Sequence, residues 1–151
     1  MLPSRRSLVS WALALVAWTV APPAQASWPH DPNSSNVPIC TAANTQTGPT
    51  IVSDGAGGSI ITWFDLRSGN FDIYAQRLSP AGVPLWAGNG VAICTAAGFQ
   101  GSPTLVSDGV GGAIIAWHDQ RSGNYDIYAQ RVNAAGVTQW AANGVALCTA
   151  T

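Results

Sequence analysis

The chain contains no lysine and no glutamate. Charged residues make up only 9 % of its 151 positions, and all of them are Arg or Asp. An ordinary soluble domain carries roughly 25 %. Six Arg against seven Asp leave a formal net charge of −1, so there is no basic surface to draw in nucleic acid or an anionic membrane. Long apolar runs are scarce as well. The longest, Leu8–Val20 (LVSWALALVAWTV), is short of the roughly 20 residues needed to span a bilayer. No G-x-S-x-G motif occurs, and the glycine-rich DGAGG lacks the Lys and helix of a phosphate loop. What is abundant instead is Gly, Pro, Asn, Thr and Trp, which suits strands and tight turns.

The first 26 residues have the layout of a cleaved export signal. MLPSRR is the basic segment, Leu8–Val20 the apolar segment, and Ala24-Gln25-Ala26 an A-x-A cleavage pattern. SRRSLV resembles a twin-arginine signal, but Leu8 stands where Phe is usual, so the general secretory route is expected. The mature chain is expected to be secreted or periplasmic, with no membrane insertion after cleavage. An uncleaved anchor is the alternative.

The remainder repeats with a period of 54. Val37–Gly90 aligns without a gap on Val91–Gly144 at about two-thirds identity, and VALCTAT (Val145–Thr151) reads as the start of a third, truncated unit. Cys40, Cys94 and Cys148 mark the period. Ser27–Asn36 reads as a divergent lead-in strand, with Trp28 in the place of Trp86. Within a unit, turn signals fall every 8–14 residues: DGAGG at Asp54–Gly58, LRSGN at Leu66–Asn70, SPAG at Ser79–Gly82 and the break at Gly88-Asn89-Gly90. The runs between them predict four short antiparallel strands per unit, the pattern of a β-propeller blade. In the second run, Ile61, Trp63 and Asp65 share one face, and Ile60, Thr62 and Phe64 the other. Both faces are largely apolar, as expected of a sheet packed between two neighbours. The fold expected is all-β: two propeller-type blades, 37–90 and 91–144, with a partial third at 145–151.

The unit SDGxGG…IxxW…D…R…DIYAQR…G…W…NGV…C, present in two copies, resembles the repeat of secreted bacterial β-propeller-like proteins, distantly related to sialidase-type and BNR-repeat propellers. The resemblance spans Val37–Thr151 and implies a propeller and export, but no single activity. The sialidase Asp-box S-x-D-x-G-x-x-W is not met: Asp54 follows Ser53 directly, and Trp63 comes too late. Sialidases also pair a Tyr nucleophile with Glu, which this chain lacks. Two blades do not close a ring of about four to eight. A fragment of a longer product is therefore expected. The alternative is self-association of short chains into a ring.

The charged residues recur with the repeat. Asp54, Asp65, Arg67, Asp72 and Arg77 return as Asp108, Asp119, Arg121, Asp126 and Arg131. An active site is normally unique and should break such a pattern, so Asp–Arg pairing that pins turns is the expectation. The sharper alternative is a repeated ligand loop. DLRSGNFD groups Asp65, Ser68, Asn70 and Asp72; DQRSGNYD groups Asp119, Ser122, Asn124 and Asp126. A sugar fits this set better than Ca²⁺, since the spacing is not that of an EF-hand and no Glu closes the site. Trp86 and Trp140, beside Gly and Asn, are candidates for partial exposure and sugar stacking. Trp63 and Trp117 read as core. His118 stands where the other copy has Phe64, so it is not a repeated ligand. The three cysteines occupy one repeat position, too far apart to pair, and are expected to be free and mostly buried. No catalytic residue, cofactor or metal is assigned. The function expected is a non-enzymatic scaffold or binding module for a glycan or an extracellular protein. The alternative is part of a sialidase- or glycosidase-like enzyme whose active site lies on other blades.

Overall fold

The computed structural model describes residues 36–149. The expected export signal and all of the lead-in segment except Asn36 lie outside the described residues. Eight strands follow in order: β1 Gln46–Ser53, β2 Ser59–Asp65, β3 Asp72–Leu78, β4 Val91–Cys94, β5 Gln100–Ser107, β6 Ala113–Asp119, β7 Asp126–Val132 and β8 Val145–Cys148. They form two antiparallel four-stranded sheets, β1-β2-β3-β4 and β5-β6-β7-β8, each a simple meander.

The period of 54 is kept, but its phase differs from the sequence expectation. Val91–Cys94 pairs with β3, through Ala75↔Val91 and Tyr74↔Ala92, and so completes the first sheet. Val145–Cys148 pairs with β7 in the same register and completes the second. The sheets thus run 46–94 and 100–148, not 37–90 and 91–144, and the VALC of the expected third unit is the last strand of the second sheet. The reason lies in Asn89 and Gly90, with φ of 63° and 85°. They turn the chain back alongside β3, so the break in the sequence is a bend inside a unit and not the edge of one.

The local chemistry of each hairpin is legible residue by residue. In the β1–β2 turn, Asp54 Oδ1 accepts the N–H groups of Ala56 and Gly58, both at 2.8 Å. Asp108 does the same for Val110 and Gly112 at 2.9 Å. Gly58 and Gly112 are required there: a Cβ would sit 2.1 and 2.2 Å from the carbonyl oxygens of Leu78 and Val132. Turn and strand are then tied together, because Arg77 and Arg131, on the third strand of each sheet, reach the other oxygen of these aspartates at 2.8 Å.

Strand alternation gives each sheet two apolar faces, as the sequence predicts. Ile60 and Ile73 of the first sheet pack into one cluster with Ile115 and Trp117 of the second, joined by Trp86, Ile93 and Cys94. The opposite face of the first sheet, with Ile61 and Trp63, is covered by Ile39 and Cys40. Like faces therefore do not meet. The Ile60 face of one sheet receives the Ile61-type face of the next.

Candidate functional site: the Asp-Arg loops

The β2–β3 connection begins at Asp65, and its carboxylate is fully buried. Oδ1 accepts the Arg67 backbone N–H at 2.9 Å and its Nε at 3.0 Å, and Oδ2 accepts Arg67 Nη2 at 2.6 Å. The guanidinium fork thus binds its carboxylate through two parallel bonds. The indole N–H of Trp63 donates to Oδ2 at 2.8 Å. Arg67 lies 3.9 Å over the ring of Tyr74 and donates to the carbonyl of Asn89 at 2.8 Å. The second copy repeats every contact. Asp119 holds Arg121 and Trp117, Arg121 lies 3.8 Å over Tyr128, and it donates to the Asn143 carbonyl at 2.8 Å.

Burial would raise the Asp65 pKa, but the bonds from Arg67 and Trp63 outweigh it and bring the carboxyl down to about 2. Asp119 is lowered by the same balance. Asp72, directly opposite Asp65 across the β2–β3 pair, goes the other way. Its burial raises the pKa, only partly offset by a 2.6 Å bond from the Ser68 hydroxyl. Two carboxyl groups with pKa values pushed apart is an arrangement used for acid–base work. Here both are buried, at 0 % and 2 % exposure, so neither is presented to a substrate.

Further loop side chains bond within the protein. Ser122 donates to Asp126 at 2.7 Å. Asn70 donates to the backbone carbonyls of Ala96 and Gly98 in the link to the second sheet. Among the described residues, all four Arg pair with Asp, and no group of three or more His, Cys, Asp or Glu side chains converges as a metal site would require.

Of the residues nominated from the sequence as ligand contacts, Asp65, Asp72, Asp119 and Asp126 are buried. Trp86, expected to be partly exposed, is also buried, at 8 %; Trp140 is 37 % exposed. The difference has a direct cause. Trp86 is covered by the next unit: its indole N–H donates to the Ala134 carbonyl at 3.0 Å, and its ring lies over Gly136. Asn124 is exposed, whereas Asn70 is half-buried at the joint. The cysteines are free, as expected, but their burial is graded: Cys40 half-buried, Cys94 buried, Cys148 exposed. Burial pushes the Cys94 thiol up to about 11, which leaves it a poor nucleophile.

Sequence reasoning missed a second set of contacts. Phe64, Phe71, Phe99 and Tyr125 form a chain of edge-to-face rings, with centroids 5.3 to 6.3 Å apart, where the two sheets meet. Phe99 lies against Gly101, whose Cβ would fall 2.4 Å from the ring. The other copy has Thr45 and Thr47 at these places. The paired change was visible as two departures from the repeat two residues apart, which on a strand share a face.

No family model matches the chain, and neither a curated protein nor a solved structure matches it.

Proposed function

We propose that this chain is an exported, non-enzymatic binding module built from propeller-type units, and that its partner is an extracellular protein. One observation carries the reading: every Asp and Arg among the described residues holds a turn or joins strands, through the same Asp–Arg and Ser–Asp pairs in both copies. The four arginines are all held in ion pairs with aspartates whose carboxylates are buried. The four-stranded antiparallel meanders, stacked through two apolar faces, support the propeller-type arrangement.

A protein partner is favoured over a glycan for a specific reason. The Asp, Asn and Trp side chains nominated for a sugar are buried, or are exposed in one copy only. One exposed feature that repeats is apolar. Val83 and Val137 are each 56 % exposed, at the end of the sheets that also carries the glycine-rich hairpins. Leu85 and Val110 are exposed at the same end. Apolar side chains exposed together at one end mark a protein-contact surface more often than a sugar site.

The test is to assay the purified chain on a panel of chromogenic glycosides and on a glycan array. No turnover and no saturable glycan binding are expected. Turnover of any glycoside would overturn the non-enzymatic reading, and glycan binding lost on Asn124→Ala would overturn the protein partner.

A further inference from the structure

The chain reaches the first sheet as it reaches the second. Cys40 Sγ lies 3.2 Å from Arg67 Nη2, and Cys94 Sγ lies 3.3 Å from Arg121 Nη2. The Thr41 N–H donates to the Asn89 side chain at 2.8 Å, and the Thr95 N–H to Asn143 at 3.0 Å. Ile39 and Cys40 pack against Ile61 and Trp63. Ile93 and Cys94 share a core with Ile115 and Trp117. Over these residues the chain follows one path twice.

At the joint between the two sheets, that path has a second anchor a few residues earlier. The Trp86 ring rests on Gly136, whose Cβ would fall 2.8 Å from it, and the indole N–H donates to the Ala134 carbonyl at 3.0 Å. The seat is a turn. Asn133 Oδ1 accepts the N–H groups of Ala135 and Val137, both at 3.0 Å. The Gly136 N–H donates to the Asn133 carbonyl at 2.9 Å, and Gly136 has a φ of 82°. The first sheet carries the same turn ready-made. Ser79 Oγ accepts the N–H groups of Ala81 and Val83 at 3.2 and 3.1 Å. The Gly82 N–H donates to the Ser79 carbonyl at 2.9 Å, and Gly82 has a φ of 76°. Gly82 is buried, although Ala81 and Val83 on either side of it are exposed; Gly136, with an indole resting on it, is only half-buried. Gly82 therefore has a cover at least as complete as the one Trp86 gives Gly136.

The segment leading to Ile39 holds one indole. Trp28, outside the described residues, precedes Val37 by an eight-residue link, 29–36, where Trp86 precedes Val91 by four residues, 87–90. At up to about 3.5 Å per residue, the longer link reaches at least as far as the shorter one. We infer that Trp28 seats on Gly82 as Trp86 seats on Gly136, its indole N–H donating to the Pro80 carbonyl, the counterpart of the Ala134 carbonyl. The lead-in is then a tethered arm, which gives the first unit the anchor that the β3–β4 connection gives the second. This docking rests on neither the propeller arrangement nor the binding role.

Nitrogen-15 NMR of the purified chain tests it. The Trp28 indole signal is the one lost in Trp28→Phe. Its N–H is expected to exchange with D₂O at least about tenfold more slowly than that of free tryptophan. The ring is expected to show nuclear Overhauser contacts to the α-protons of Gly82 within one copy. Exchange at the free rate overturns the docking. So do ring contacts to Pro49 or Ile51 in place of Gly82, which would put the indole on the sheet face. Contacts seen only between differently labelled copies in a mixed sample would make the occupant a second copy and overturn it as well. Gly82→Ala places a methyl group under the ring and is expected to return the exchange to the free rate. Gly123→Ala, at a comparable φ of 96° with nothing within 4 Å of the added Cβ, is expected to leave Trp28 protected. A folded Gly82→Ala chain in which the indole stays protected overturns the seat, and the contacts in the wild type decide the matter if that variant does not fold.

Discussion

The sulfur of Cys94, the last residue of β4, lies 3.3 Å from Nη2 of Arg121 in the other sheet. Cys40 stands in the same relation to Arg67, at 3.2 Å. Each cysteine thus closes over the Asp-Arg pair of the unit that follows it. Asn89 and Asn143 fasten the same segments from the other side, accepting the N–H groups of Thr41 and Thr95 at 2.8 and 3.0 Å. The buried pair, the aromatic ring beneath it and the sulfur above it form one clasp per unit.

Cys94 should be shielded from thiol reagents by this clasp. It is buried, and its thiol is pushed up to about 11, so little thiolate exists at neutral pH. Labelling of the native chain is expected to leave Cys94 unmodified over the time in which the chain in denaturant is labelled at all three cysteines. Peptide mapping checks this. Native labelling of Cys94 at the denatured rate would show that the two sheets separate freely.

Breaking the clasp should cost more than deleting it. Asp119→Asn leaves Arg121 beside a neutral amide in a site with little access to water, and a cost of about 3 kcal/mol is expected. Asp119→Asn combined with Arg121→Met removes both charges and should cost less than the single change. Urea midpoints of the two variants measure the difference. A larger loss in the double variant would mean that the guanidinium stacked on Tyr128 matters more than the ion pair.

Asp65 sets an acid limit on stability. Its pKa falls from 3.8 to about 2 on folding. A depressed carboxyl contributes stability above its unfolded pKa and loses it as pH falls through the folded value. The window is therefore between about pH 4 and pH 2, and the contribution is about 2 kcal/mol. Asp72 acts in the opposite sense: its raised pKa favours the protonated form in the folded chain, so acid partly relieves it. Denaturant titrations of wild type and Asp65→Asn at pH 7 and pH 2 separate the two effects. The variant should be the less stable at pH 7, and the gap should close by pH 2.

The all-β class and the hairpins were legible in the sequence because Asp-Gly and Gly-Gly turns and two-residue alternation are local signals. Asp54 with Gly58 and Asp65 with Arg67 sit within four residues of each other, so their pairing needs no long-range knowledge. Trp86 shows where local reading stops. Its neighbours Gly88 and Asn89 suggest exposure, yet its burial comes from Ala134 and Gly136 in the next unit. The phase of the repeat failed for a related reason. A period is the same wherever counting begins, and only the pairing of Val91 with Ala75 decides which sheet a strand joins.

Ser59 tests how closely the two copies can be interchanged. Its hydroxyl is buried with no hydrogen-bond partner, and the second copy has Ala113 at that place, fully buried. An unpaired buried hydroxyl carries a desolvation cost of about 1 kcal/mol or more. Ser59→Ala is expected to raise stability by up to about 1 kcal/mol, read as a higher urea midpoint at unchanged slope. Destabilisation would point to a water bound at the hydroxyl.

Gly136 isolates the energy of the joint itself. Its φ of 82° strains any other residue, and a Cβ there would meet the Trp86 ring at 2.8 Å. Gly123 has a comparable φ of 96° but nothing within 4 Å of an added Cβ. Gly123→Ala should therefore show backbone strain alone, about 1 kcal/mol. Gly136→Ala should show that strain plus displacement of a packed indole, about 3 kcal/mol in all. The excess is attributable to Trp86 by a double-mutant cycle. Against a Trp86→Ala background the ring is gone, and the cost of Gly136→Ala should fall to that of Gly123→Ala. If the excess persists without the indole, the β7–β8 turn and not the joint is what the methyl group disturbs.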